Sequence, residues 1–137
     1  MNIQPEVSFF CKIPKYEFVT LSEKPFRRGV ILESGLVYYS RLLGDCVYVP
    51  GGFKSDGASV PQFLWDRMPP FGRYLEAAIV HDLYCFLGEE GRSPIDYRMA
   101  ARVFREAMGV CGVGWWRRNV MYFAVRWFGP SFSATLK

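Results

Sequence analysis

With 137 residues, half of them hydrophobic and 18% aromatic, the chain suits one compact domain with a sizeable core. Lys and Arg exceed Asp and Glu by 17 to 13, and the resulting net charge of +4 does not by itself argue for nucleic acid. No window approaches the roughly 20 unbroken apolar residues of a membrane span, and Met1 to Tyr16 lacks the basic start and apolar run of a secretory signal.

The first half reads as strands and turns. Residues 16–21, 30–32, 36–39 and 45–49 are rich in β-branched and aromatic side chains. Turn signals at Ser22-Glu23-Lys24-Pro25, Glu33-Ser34-Gly35 and Leu43-Gly44-Asp45 separate them, and Pro50-Gly51-Gly52 ends the last. The expectation is a small antiparallel sheet over about residues 1–53. A loop of small residues follows, Gly52-Phe53-Lys54-Ser55-Asp56-Gly57-Ala58-Ser59-Val60-Pro61. Asp56 either organises this turn or offers a carboxylate to a site. Ser59 fits an N-cap better than a nucleophile.

The second half reads as helices. A short helix is expected over residues 60–67, stopped by Met68-Pro69-Pro70. A second spans about residues 72–87, with Gly88 suited to its C-terminal cap. A third starts at Ser93-Pro94-Ile95-Asp96, with Ser93 as N-cap, Pro94 at the first helical position and Asp96 as the acid of a capping box. Ile95, Met99, Val103, Ala107 and Val110 then recur at helical spacing. The last runs over residues 115–128 and stops at Gly129-Pro130. The fold class is therefore α+β in a single domain, a small N-terminal antiparallel sheet followed by three or four packed helices over about residues 60–128.

Four cysteines, Cys11, Cys46, Cys85 and Cys111, stand far apart with no C-x-x-C pair, which argues against a zinc ribbon or a thioredoxin-like motif. Reduced, mostly buried thiols are expected rather than two disulfides.

The candidate chemistry lies in the second of these helices. His81, the single histidine, is followed directly by Asp82 within an apolar run. A buried acid must be neutralised, hydrogen-bonded or bound to a cation. Two alternatives stand. His81 acts as general base with Asp82 and Asp56 as ligands of a divalent cation, or the pair ties its helix to the Asp56 loop by buried hydrogen bonds. Calcium, a hard cation suited to oxygen ligands, ranks above zinc, because one histidine with two carboxylates is a thin zinc set.

The last helix also has two readings. Trp116, Val120, Phe123 and Trp127 share one stripe, and Arg118, Tyr122 and Arg126 lie on another. Either the helix packs across the sheet with its arginines reaching water, or Trp115, Trp116, Arg118 and Trp127 dock on a partner protein or a membrane surface. Single-stranded nucleic acid could stack on such aromatics, but the charge is too mild to prefer it.

Taken together, Gly-Phe-x-Ser-Asp-Gly-Ala-Ser-Val-Pro, Ala-Ala-x-x-His-Asp, Phe-Arg-Glu-Ala-Met and Ala-Val-Arg-x-Phe-Gly, spread over residues 17–129, resemble the phage and prophage family known as domain of unknown function 1353. The resemblance implies a phage or prophage origin, hence a place in the host cytoplasm or the virion, and brings no settled activity. The His-Asp pair is also similar to that of secreted and parvoviral phospholipases. That similarity implies His81 as base, Asp82 as calcium ligand, and Tyr84 together with the loop of Asp56, Gly57 and Ser59 in support. Two positions depart from the patterns. Tyr84 follows the histidine by three residues rather than four, with Cys85 in the fourth place, and Ala101 stands where the family often carries an aspartate. The leading expectation is a metal-assisted hydrolase of ester or amide bonds in a lipid or the cell envelope. The alternative is a non-enzymatic tail, head or assembly component, or a binder of a host protein, docking through its aromatic C-terminal helix.

Overall fold

The computed structural model describes residues 5–23, 26–55 and 74–135. The strands are β1 (Phe9–Lys12), β2 (Tyr16–Glu23), β3 (Phe26–Leu32), β4 (Leu36–Ser40), β5 (Asp45–Val49) and β6 (Lys54–Ser55). The helices are α1 (Leu75–Glu89), α2 (Tyr97–Val110) and α3 (Trp115–Phe128). The chain divides into two compact units, Met1–Asp56 and Gly57–Lys137. The α+β class holds, and among the described residues there are three helices. The short helix expected at residues 60–67 lies outside the described residues.

The first unit carries two antiparallel sheets of three strands, ordered β1-β4-β5 and β2-β3-β6, where the sequence suggested one. The extra strands are the short β1 and β6. Neither carries the longer β-branched run that betrays a strand in sequence, and both form because a neighbour offers a free edge. Alternation along β4 and β5 sets the register. Leu36 opposes Val49 and Tyr38 opposes Val47, and all four are buried. Phe10 of β1 adds its ring to Tyr38 at 4.6 Å. In the other sheet Val30 and Leu32 of β3 are buried, and β2 bulges between Thr20 and Ser22.

In the second unit α2 packs against both α1 and α3. Its buried face is Ala100, Ala101, Val103, Phe104, Ala107 and Met108. Of the stripe read from sequence, only Val103 and Ala107 are fully buried, and Val110 is exposed. Three alanines let neighbouring backbones come close, and Phe104 and Met108, which the stripe omitted, supply the large side chains of the buried face. The α1 helix is buried on almost every side over residues 77–84, as expected of a helix without a polar stripe.

Both connections between helices end in the same way. Gly91 and Gly112 adopt left-handed φ of 69° and 86°. The amide of Arg92 donates to Leu87 O and that of Val113 to Met108 O, which closes a Schellman motif after each helix. The capping glycine of α1 is therefore Gly91. Gly88 lies inside the helix instead, because the ring of Phe132 rests on it.

The start of α2 also differs from expectation. Asp96 is the N-cap, its carboxylate accepting from the amide of Met99 at 2.9 Å. The hydroxyl of Ser93 bonds instead to the backbone of Ile95. The reason is tertiary. Residues 130–135 return across this connection, with the amide of Thr135 donating to Ser93 O at 2.7 Å and that of Tyr97 to Phe132 O at 3.0 Å. Residues 94 and 95 form a bend and the helix begins later, at Tyr97.

Candidate functional site

Residues 81 and 82 occupy the middle of α1, and both side chains are buried, with 3% of His81 and 8% of Asp82 exposed. They lie side by side, one residue apart on the helix, in a stretch that is otherwise apolar. The imidazole ring packs 5.1 Å from the ring of Phe104 in α2. Its Nδ1 lies 3.6 Å from the sulfur of Cys85, one turn on. Burial lowers the His81 pKa from its ordinary 6.5 to about 4, so the ring is neutral at pH 7. A neutral imidazole can accept a hydrogen bond or hold a cation. A pKa this low makes it a weak general base near neutrality.

Tyr84 is buried on the same helix, but the residue that meets the imidazole nitrogen one turn on is Cys85. The fourth place after the histidine faces it because four residues complete little more than one turn. Ala101, 1% exposed, contributes a methyl group to the core at the position where the family resemblance raised the expectation of an aspartate. Among the described residues no three His, Cys, Asp or Glu side chains gather as a metal site. Asp56, Gly57 and Ser59 lie outside the described residues.

The second candidate surface is on α3. Its buried face is Met121, Tyr122, Ala124 and Val125. Arg105 of α2 reaches across to this helix. Its guanidinium lies 4.1 Å from the centroid of the Tyr122 ring and donates to Asn119 Oδ1 at 3.2 Å. Arg118 also turns inward, over Gly109 of α2, where a Cβ would stand 3.0 Å from its Nη1.

Trp116, Phe123 and Trp127 lie opposite this buried face, and Trp115 and Phe128 are exposed at the helix ends. Trp115, Trp116, Phe123, Trp127 and Phe128 are 66%, 72%, 42%, 67% and 70% exposed. Phe123 and Trp127 stack at 5.0 Å with 17° between their planes, and Trp115 lies 6.4 Å from Trp116. The helix carries Arg117, Arg118 and Arg126 and no acid. Arg117 is exposed, and Arg126 donates to the hydroxyl of Tyr122 at 3.3 Å. The charge of Arg117 also acts on Tyr74, where it opposes the stronger upward push of burial on the phenol pKa.

Trp115, Trp116 and Trp127 are thus all exposed, whereas Arg118 packs over α2. Sequence reasoning missed Phe128 and Arg117 as exposed residues of this helix. Phe128 was legible only as the neighbour of Trp127, and Arg117 only as the arginine displaced by one place from the expected stripe.

Comparison with known proteins gives one family and two relatives. The pattern of the family described as "Protein of unknown function (DUF1353)" matches residues 31–125. "Uncharacterized protein y4jT" of Sinorhizobium fredii (strain NBRC 101917 / NGR234) is 37% identical over 91 residues, covering 65% of this chain and 26% of that protein. "Uncharacterized protein y4iH" of the same organism is 33% identical over 79 residues, covering 56% and 31% respectively. The matches therefore span about a third or less of these relatives' lengths. No solved structure matches the chain.

Proposed function

Since the chain belongs to the domain of unknown function 1353 family, which carries no assigned activity, we propose a function from its own surface: it docks through α3 on an anionic phospholipid membrane. One observation carries this reading. A helix without a single acid exposes Trp115 and Trp116 at its start and a stacked Phe123–Trp127 pair towards its end. Tryptophan and arginine suit the headgroup layer, where an apolar ring meets a wet, negatively charged boundary.

The magnitudes are sufficient. Covering half of one such ring, about 100 Å² at roughly 25 cal/mol per Å², contributes about 2.5 kcal/mol. An arginine near an anionic surface adds about 1 kcal/mol. At about 21 Å the helix is too short to cross roughly 30 Å of hydrocarbon, and no described helix is long and apolar enough to cross a membrane. It would therefore lie flat.

The test is co-sedimentation with vesicles, with tryptophan emission recorded in parallel. Binding to phosphatidylglycerol-containing vesicles, a blue shift, and loss of both in a Trp116→Ala/Trp127→Ala variant are expected. Failure to bind such vesicles at low salt overturns the proposal. Co-purification with phage tails or heads, or with a host protein, would then favour docking on protein.

A second reading, the metal-assisted hydrolase, is supported by the adjacency of two buried polar side chains, His81 and Asp82, in an apolar helix. Calorimetric titration of calcium, then zinc, into the protein and its Asp82→Asn variant tests it. Saturable binding that the variant abolishes supports this reading, and the absence of binding by either metal removes it.

A further inference from the structure

Three arginines meet along the seam of α2 and α3, Arg105 from α2 and Arg118 and Arg126 from α3, and all three are half-buried. Two of them converge on Tyr122. The Arg105 guanidinium lies 4.1 Å from its ring centroid, and Arg126 Nη1 donates to its hydroxyl at 3.3 Å. Arg105 also donates to Asn119 Oδ1, and Asn119 is itself fixed by donating to Trp115 O at 2.7 Å. Arg118 stands one turn before Tyr122 on the same side of α3 and occupies the space that Gly109 leaves open. Among the described residues no carboxylate lies within ion-pair reach of any of the three.

A guanidinium carries several N–H donors in a planar fork. Arg105 and Arg126 each spend one of them here, and Arg118 spends none among the described residues. Cations gathered without an acid attract an anion, and side chains already held in place lower the ordering cost of binding it. The fork matches the paired oxygens of a phosphate. The surroundings select between a free phosphate and one carried by an amphiphile. The Tyr122 ring lies 5.2 Å from that of Phe123, which stacks on Trp127 at 5.0 Å. A continuous row of rings therefore leads from the guanidiniums onto the exposed aromatic stripe. Inorganic phosphate would use only the charged end of this row, whereas a phospholipid, with its phosphate next to its apolar chains, uses both.

We propose that Arg105, Arg118 and Arg126 form a seat for the phosphodiester of an anionic phospholipid, with Phe123 and Trp127 covering the part of the lipid next to the phosphate. The seat rests on the membrane reading above and names the group that this reading binds.

The test is the partition of the protein between buffer and vesicles of phosphatidylglycerol and phosphatidylcholine, followed by tryptophan emission. Arg118→Gln and Arg126→Gln should each weaken binding about fivefold, the effect of one arginine at an anionic surface, and roughly 25-fold together. Arg92→Gln removes an exposed charge from the connection between α1 and α2 and should have a clearly smaller effect. Circular dichroism checks that each variant is folded. If Arg118→Gln is not, Arg126→Gln decides alone, because its side chain makes one hydrogen bond, to Tyr122. Undiminished binding by the arginine variants, with binding lost in Trp116→Ala/Trp127→Ala, overturns the seat and leaves the membrane reading standing. An equal loss in Arg92→Gln overturns it too, since net charge alone is then sensed. Displacement from the vesicles by inorganic phosphate at fixed ionic strength assigns the site to the free anion and overturns the lipid assignment. Failure of the wild type to bind anionic vesicles at low salt overturns both.

Discussion

The ring of Phe132 rests on Gly88 so closely that a Cβ at residue 88 would overlap it. This contact fixes the returning tail on α1, and the backbone bonds from Tyr97 and Thr135 hold the rest of it. Gly88→Ala brings two opposing effects. Alanine is better than glycine inside a helix by roughly 1 kcal/mol, whereas forcing a methyl group into a packed contact costs about 1–3 kcal/mol. The clash is severe, so the net effect is expected to be destabilisation of about 1–2 kcal/mol by urea unfolding. In a Phe132→Ala background the sign should reverse, because the ring that excludes the methyl group is gone. A stabilising Gly88→Ala in the otherwise unchanged protein would contradict the contact.

His81 makes stability depend on acid. Its folded pKa, about 4, lies below its ordinary 6.5, so the unfolded chain takes up a proton first as pH falls. The contribution is fully present above about pH 6.5 and is lost as pH drops towards 4. It amounts to about 3 kcal/mol over that window. Denaturant unfolding of the wild type and of His81→Gln at pH 7 and pH 4.5 should show a clearly shallower pH dependence in the variant. Parallel pH profiles would mean that the imidazole is not held neutral by burial.

The cap of α2 separates Asp96 from Ser93. Asp96→Ala is expected to cost about 1 kcal/mol, and Asp96→Asn only a few tenths, because asparagine retains the accepting oxygen. Hydrogen exchange at the amide of Met99 provides the local readout. Its protection should fall in Asp96→Ala and persist in Asp96→Asn.

Arg105 joins α2 to α3 through a planar group that both stacks and donates. Arg105→Ala should cost about 1–2 kcal/mol, combining a partly shielded cation–π contact with one hydrogen bond. Arg105→Lys should recover little, since an ammonium cannot lie flat on the Tyr122 ring while reaching Asn119. Thermal unfolding of both variants, with Tyr122→Leu as the partner in a double-mutant cycle, measures the coupling.

The sequence by itself determined the elements whose cause is local. Strand β5 and helix α3 fall where composition and breakers put them, since a run of β-branched residues before Pro50-Gly51 and an unbroken helix before Gly129-Pro130 act without help from the rest of the chain. The His81–Asp82 pair and the aromatic stripe of α3 were legible for the same reason, as residue types at a spacing. Burial and contact were not. Only the folded chain decided that Asp96 caps α2, that Gly88 accommodates a ring while Gly91 caps, that Cys85 meets the imidazole, and that Arg118 turns inward and leaves Arg117 exposed on that helix. Each depends on a partner remote in sequence or on the far side of a helix turn. The energy of such contacts comes from side chains that no local window contains.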